Sequence, residues 1–298
     1  MNPTDLLRNL LGTGPLGRAD APFRLLRVVG PDAGEFLHRL CSQDVHGLAV
    51  GTGAPACFLD AKGKLQATCL VLRAADAFWL EVAAEQADRL AALLERYHFT
   101  EKLAIERPAL GPCHEQVGLA ADAAAGFAVE VVGSGLVVRG ARRGVQFERR
   151  HGAVLVLQLP LLAPELAECV RMLAGLLRVG VETEAATLAL EADLDDHIST
   201  TKGCYTGQEI VARIHTYGHT NRKACLLWLG AGRDITEAEE LQDDDEIAVG
   251  RVLHAEPVPG HAARLGIGYL PKDFQALGTK LRLADGTAVE VIGYEPLA

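Results

Sequence analysis

The chain has 298 residues, 49% hydrophobic and 23% charged, which is enough to bury a substantial core and is the composition of a soluble globular protein. Lys and Arg number 29 against 39 Asp and Glu, so a net charge of -10 excludes any general attraction to nucleic acid or to an anionic membrane surface. Seven cysteines, an odd number without Cys-x-x-Cys spacing, argue against a disulfide framework and a zinc knuckle and for a reducing, cytoplasmic setting. Met1 to Asp20 lacks the basic segment and apolar run of a signal peptide. The apolar stretch 153–181 is broken by Pro160, Pro164, Glu165, Glu168 and Arg171 and does not suit a bilayer.

In chain order, Phe23 to Val29 reads as a strand, and Pro31 to Leu40 as a short helix burying Phe36, Leu37 and Leu40. Ala56 to Leu59 and Leu65 to Leu72 flank Asp60-Ala61-Lys62-Gly63-Lys64, a glycine-containing turn between β-prone runs, and predict a hairpin. Phe78 to Val82 is a further strand. Ala84 to Tyr97 is a helix whose Ala87, Leu90, Leu94 and Tyr97 recur at spacings of three and four. Leu103 to Glu106 returns as a strand. This order predicts an α+β layer with helices on one face of an open sheet, not a doubly wound nucleotide fold.

Leu110-Gly111-Pro112 marks a break, after which strands are expected at Gln116 to Leu119, Phe127 to Val132, Leu136 to Arg139 and Ala153 to Leu159. Pro164 starts a second helix with Leu166, Val170, Leu173 and Leu177 on one face. Beyond residue 222 the helical period disappears. Ala224 to Leu229, Ile247 to Leu253, Leu265 to Leu270, Leu281 to Leu283 and Val289 to Ile292 predict a small antiparallel barrel or sandwich. Three units are therefore expected: an α+β part over 1–110, a second over 111–222 and a β-barrel over 223–298.

Arg139, Arg142, Arg143, Arg149 and Arg150 form a basic segment, expected as arginines on a solvent-exposed strand face. Cys41, Cys57 and Cys69 sit in or beside apolar runs and are expected to pack in the core. His215 and His219 are four apart, but Gly218 lies between them and no third ligand is evident, so they read as loop histidines and no metal site is expected.

Lys202-Gly203-Cys204-Tyr205-Thr206-Gly207-Gln208-Glu209 concentrates the chemistry. Thr206 and Glu209 have capping-box spacing, so a helix is expected from about Gly207 for two turns until Tyr217-Gly218, with Glu209 and Arg213 as an i, i+4 pair. Cys204 then lies two residues ahead of the N-cap with Lys202 nearby, and both the helix end and the ammonium favour a thiolate. The residues equally allow a packed, inert cysteine in a glycine turn.

With the following Ile210-Val211-Ala212-Arg213, the octapeptide resembles the signature of the YgfZ-type proteins, relatives of the glycine-cleavage aminomethyltransferase. Weaker likenesses occur in the same order at Arg27 to Asp32, Gln43-Asp44-Val45, Leu59 to Lys64 and Val249 to Val252. The resemblance implies an aminomethyltransferase-like three-domain ring around a central hole that binds tetrahydrofolate, with the octapeptide facing that hole. It also implies a role, without metabolite turnover, in assembling or maintaining iron-sulfur enzymes, including tRNA-thiomethylating ones. Those enzymes or their assembly proteins would be the partners, with no direct nucleic-acid or membrane binding. In the transferred roles Cys204 is the key thiol, Lys202 and Arg213 supply positive charge, and Gln208 and Glu209 shape the helix end. Members of the family carry an Arg-x-Glu-Ala-Gly-x-Pro stretch that is missing where Leu177-Arg178-Val179 runs into Gly180-Val181-Glu182; Glu182 and Glu191 are the carboxylates expected to replace its glutamate at the folate. Ala83-Ala84-Glu85-Gln86 stands where an aminomethyltransferase has an asparagine and an acidic residue, which places transferase catalysis second and a non-catalytic scaffold third.

Overall fold

The computed structural model describes residues 3–12, 14–18, 21–120, 126–152, 158–218, 220–232, 234–235 and 237–293. Helix α1 (Pro3–Leu11) buries Leu6, Leu7 and Leu11 and leads into strand β1 (Leu16–Arg18). The first half continues with β2 (Phe23–Val29), α2 (Ala33–Leu40), β3 (Thr52–Leu59), β4 (Leu65–Arg73), β5 (Phe78–Ala83), a 3-10 turn (Ala84–Gln86), α3 (Ala87–Tyr97) and β6 (Ala104–Glu106). Period two sorts its side chains between the sheet's faces. Leu26, Val28, Cys69, Val71, Leu80 and Val82 pack beneath α2 and α3, as the helix spacings predict. Leu25, Leu70, Leu72 and Trp79 point the other way, into a larger core shared with the second half.

That second half comprises β7 (Cys113–Leu119), β8 (Phe127–Val132), β9 (Gly135–Arg142), β10 (Val145–His151), α4 (Pro164–Leu173), a 3-10 turn (Asp195–His197) and α5 (Gln208–Tyr217). The two halves are not separate layers. Pairing of β3 with β8 joins them into one ten-stranded sheet of order β1-β7-β10-β9-β8-β3-β4-β5-β2-β6. Four strands separate β10 from β5 in this order, yet their side chains meet: Arg149 Nη1 lies 2.7 Å from Glu81 Oε2. The sheet is therefore curled, and its two halves face each other across an interior.

Strand β10 corrects two expectations. The strand falls on Val145–His151; of the expected 153–159 strand, 153–157 lie outside the described residues and 158–159 are not in a strand. Nor is the arginine segment one solvent-exposed face: Arg139 is exposed as expected, but Arg149 and Arg142 retain only 4% and 5% side-chain exposure. Their burial follows from the curl, which brings carboxylates distant in sequence within reach, Glu81 and Glu115 for Arg149 and Asp196 for Arg142. Leu177, expected on the second helix, lies beyond its end at Leu173, since the chain turns through Gly175 at φ +67°.

The C-terminal strands β11 (Arg222–Leu229), β12 (Glu239–Gln242), β13 (Ala248–Pro257), β14 (Arg264–Pro271), β15 (Lys280–Arg282) and β16 (Ala288–Val291) close into the expected antiparallel barrel. Cys225, Leu227 and Leu229 fill it, while Ala224 and Leu226 alternate outward onto the main core. Among the described residues no helix is long and apolar enough to cross a membrane.

Candidate functional site

The octapeptide is the end of a strap, residues 195–207, laid over the first half of the sheet. Ser42 fixes its start: Ser42 Oγ donates to the His197 carbonyl at 2.6 Å, and the Ser199 amide donates to the Ser42 carbonyl at 2.9 Å. Lys202 fixes the middle. Its ammonium donates to the carbonyls of His38, of Cys41 at 2.7 Å and of Gln43 at 3.0 Å, and it sits 4.9 Å from the centre of the Tyr205 ring. Burial lowers its pKa. Lys202 is thus a clamp on the open end of α2; its charge is satisfied by carbonyls and does not serve as the expected partner of a Cys204 thiolate. Lys202→Met is expected to lower stability by roughly 1.5–3 kcal/mol, the range for hydrogen bonds from a charged donor, and to open the 199–204 segment to limited proteolysis. An unchanged urea midpoint and cleavage pattern would contradict the clamp.

Gly207 fixes the far end. Helix α5 begins at Gln208, with Gly207 as its N-cap at φ +82° and no side-chain cap, so the Thr206–Glu209 capping box is not formed. The reason is a close approach: a Cβ on Gly207 would lie 2.6 Å from the Asp60 carbonyl oxygen, and one on Gly63 would lie 2.7 Å from Ile210 Cβ. The Asp60–Lys64 turn and the start of α5 interlock through these two glycines. Gln208 instead reaches back, its Oε1 accepting from the Tyr205 amide at 3.1 Å. Tyr205 is buried, and its hydroxyl is pushed up to about 12 by burial. Gly218 ends α5 at φ +85°, as the sequence predicts. Glu209, Arg213 and His215 lie exposed on α5, whereas His219 is outside the described residues.

Cys204 therefore stands three residues ahead of the N-cap rather than two, and it is exposed while the other six cysteines are buried. Burial raises the thiols of Cys41, Cys57 and Cys69, and pushes Cys169 and Cys225 up to about 12. Accessible thiol chemistry is confined to Cys204.

A cavity of about 760 Å³, counted out to its mouth, lies between the facing halves of the sheet. Phe23, Leu70, Phe127, Phe147, Leu176 and Leu177 give it apolar walls. Its polar edge carries Glu81, Arg142, Arg149, Arg171, Arg178 and His197, none of which the sequence reading assigned to a ligand site. Most of their charge is internally matched. Arg149 bonds Glu81 and Glu115 at 2.7 and 2.8 Å and lies between the rings of Phe23 and Phe147, 3.7 and 3.9 Å from their centres. Burial disfavours the Glu81 carboxylate, but Arg149 and His151 outweigh it and lower its pKa. Among the described residues, the buried Arg178 Nε–H has no partner, and only one ring nitrogen of His197, Nδ1, is bonded.

None of Lys202 to Glu209 lines this cavity; the clamp and the glycine contact hold the octapeptide against α2 and the hairpin turn. Glu182 and Glu191 do not line this cavity either. Glu182 is fully buried and bonded to Arg171 at 2.6 Å and Arg178 at 3.3 Å; burial raises its pKa, but the two guanidinium groups outweigh this and lower it. Glu191 Oε2 accepts from the Leu188 amide at 3.2 Å and pairs with Arg222 of the barrel at 3.4 Å. Glu85, by contrast, is exposed and lines the cavity.

Glu168, His254 and Glu256 bring their ligand atoms within 4.8 Å of one another. Arg178 bonds both Glu168 and the His254 Nε2, at 3.2 Å each, and Arg171 adds a second guanidinium, which makes this an ion-pair cluster rather than a cation site.

The architecture matches the crystal structure of the glycine cleavage system aminomethyltransferase T from Bartonella henselae with a TM-score of 0.73 over 96% of this chain and 88% of that one, at 19% sequence identity. The chain has the aminomethyltransferase fold. In sequence, 96 residues are 31% identical to an Arabidopsis thaliana protein named "Putative transferase At1g60990, chloroplastic"; the match spans 32% of this chain and 22% of that protein's length. No protein-family model matches the sequence.

Proposed function

We propose that this protein is a tetrahydrofolate-binding accessory factor that supports the assembly or maintenance of iron-sulfur enzymes, including tRNA-thiomethylating ones, and acts through Cys204. The carrying observation is the presentation of that thiol: one exposed cysteine among seven, on a strap pinned by Ser42, Lys202 and Gly207. The iron-sulfur role rests on the resemblance of Lys202 to Glu209, including Arg213 beyond it, to the YgfZ-type signature. The folate role rests on the fold and on the cavity, whose apolar walls suit a flat ring and whose His197 offers an acceptor to its edge. Tetrahydrofolate bound there would supply one-carbon chemistry; the chain's own residues would hold its ring and exclude water from it.

Cys204→Ala is expected to abolish rescue of a strain lacking the factor while leaving the thermal midpoint within about 1 °C of wild type, since an exposed thiol adds little to stability. Full rescue by the variant would refute the role of Cys204.

A second reading, a folate-dependent aminomethyltransferase, is supported by Glu85, a cavity-lining carboxylate on the turn after β5. It predicts tetrahydrofolate-dependent ammonia release from an aminomethyl carrier protein, and absence of release excludes it.

A further inference from the structure

His197 stands at the start of the strap, 94% buried by its 6% relative exposure, with its side chain in the cavity wall. Its Nδ1 lies 2.8 Å from Asp196 Oδ1. An ionised carboxylate can only accept, so Nδ1 carries the ring proton and Nε2 is left with a lone pair. The orientation is fixed at several points. Arg142 grips Asp196 with both branches of its guanidinium, Nε to Oδ2 at 2.8 Å and Nη2 to Oδ1 at 2.9 Å. Ser42 holds the His197 carbonyl from below. Burial, then the hydrogen bond from His197 and the charge of Arg142, act on Asp196, and the last two outweigh the first to keep it ionised well below the usual carboxylate range. Burial also lowers the pKa of His197, aided by Arg142 and Arg143 and opposed by Asp196, so the ring is neutral at pH 7. Among the described residues, no group bonds its Nε2.

A neutral imidazole whose tautomer is locked by a carboxylate, itself locked by an arginine, is an oriented hydrogen-bond acceptor. Its Nε2 is not one of the buried atoms left without a partner, so it stays open to solvent, and a bound ring that offers an N–H takes the place of water there. We propose that His197 is a ligand-contacting residue of the cavity whose Nε2 accepts a hydrogen bond from a ring N–H of the bound folate, taking the place of the carboxylate that the chain lacks. Asp196 and Arg142 are the positioning residues. This inference rests on the folate reading above and adds the residue that reads the polar edge of the ring.

The test uses 5-formyltetrahydrofolate as the probe, titrated calorimetrically into wild type, His197→Phe and His197→Gln. His197→Phe keeps the bulk and loses the acceptor, and is expected to bind at least about tenfold more weakly, or about 1.4 kcal/mol. His197→Gln, which restores an acceptor, is expected to recover part of that loss. No saturable heat with wild type overturns the folate reading and this inference with it. Saturable heat that is unchanged in His197→Phe overturns the inference alone. Should the variants not fold, wild-type protein labelled with nitrogen-15 histidine decides: the Nε2 resonance of His197 is expected to move on saturation with the probe, and an unmoved resonance in a saturated sample overturns the contact.

Discussion

Arg149→Met is expected to destabilise the fold by about 3–5 kcal/mol, the range for removing one partner from a buried ion pair. The magnitude follows from what stays behind. Glu81 and Glu115 have 1% and 7% side-chain exposure, and without the guanidinium both lose their strongest cation, Glu81 keeping only His151 at 2.7 Å. The ring contacts with Phe23 and Phe147 would be lost as well. Because the pairing ties β10 to β5 across four intervening strands, the variant is expected to lower the urea midpoint and the slope together as the two halves loosen. Replacing the carboxylates too, as Glu81→Gln and Glu115→Gln, is expected to recover most of the loss, since the cost lies in stranded charge rather than in the missing attraction. The cluster also sets a pH dependence. The pKa of Glu81 is lowered in the folded protein, so its contribution is present above the unfolded carboxyl range near pH 4 and fades as pH falls through the folded value. A stability loss under about 1 kcal/mol in Arg149→Met would show that the curl does not depend on this pair.

Much of this was legible in the sequence, and the boundary between what was and what was not is physical. The apolar run Phe78 to Val82 and the period 3.6 in Ala84 to Tyr97 are local patterns, and the strand and helix stand there, with a 3-10 turn opening the helix. The barrel was legible from short strands between turns. The curl was not, because it depends on Glu81 meeting Arg149, 68 residues apart, and a lone acidic residue at an inward strand position gives no hint of its partner. Arg142 and Arg149 were misread for the same reason, while Arg139 is exposed as expected. At the octapeptide, residue types pointed to a capped helix beside a charged lysine, and both local readings gave way to long-range contacts: Lys202 finds carbonyls around residues 38–43, and Gly207 meets Asp60. His197 had one available signal, an acid-histidine neighbour pair just ahead of the motif, but only the fold shows that its ring lines a cavity.

The two glycines of the octapeptide look alike in sequence and are expected to behave very differently on substitution. Gly203 has no positive φ, and a Cβ there would meet nothing within 4 Å, so Gly203→Ala is expected to change stability by no more than about 0.5 kcal/mol. Gly207→Ala meets two penalties. A φ of +82° costs an L-residue roughly 1–2 kcal/mol, and the new methyl would fall 2.6 Å from the Asp60 carbonyl oxygen and 2.9 Å from Leu59 Cβ, so either the strap or the hairpin turn must move. A total loss of roughly 2–5 kcal/mol is expected, by adding that strain to the usual cost of overpacking. Gly63 sits on the other side of the same contact at φ +73°, so once Gly207→Ala has separated the two elements, Gly63→Ala is expected to cost less than it does alone. The double-mutant cycle in urea measures this coupling, and strict additivity would refute the interlock. Cys204 supplies a second readout: its alkylation rate should change when the strap is released in Gly207→Ala and stay at the wild-type value in Gly203→Ala, because the clamp by Lys202 alone fixes only one side of the loop.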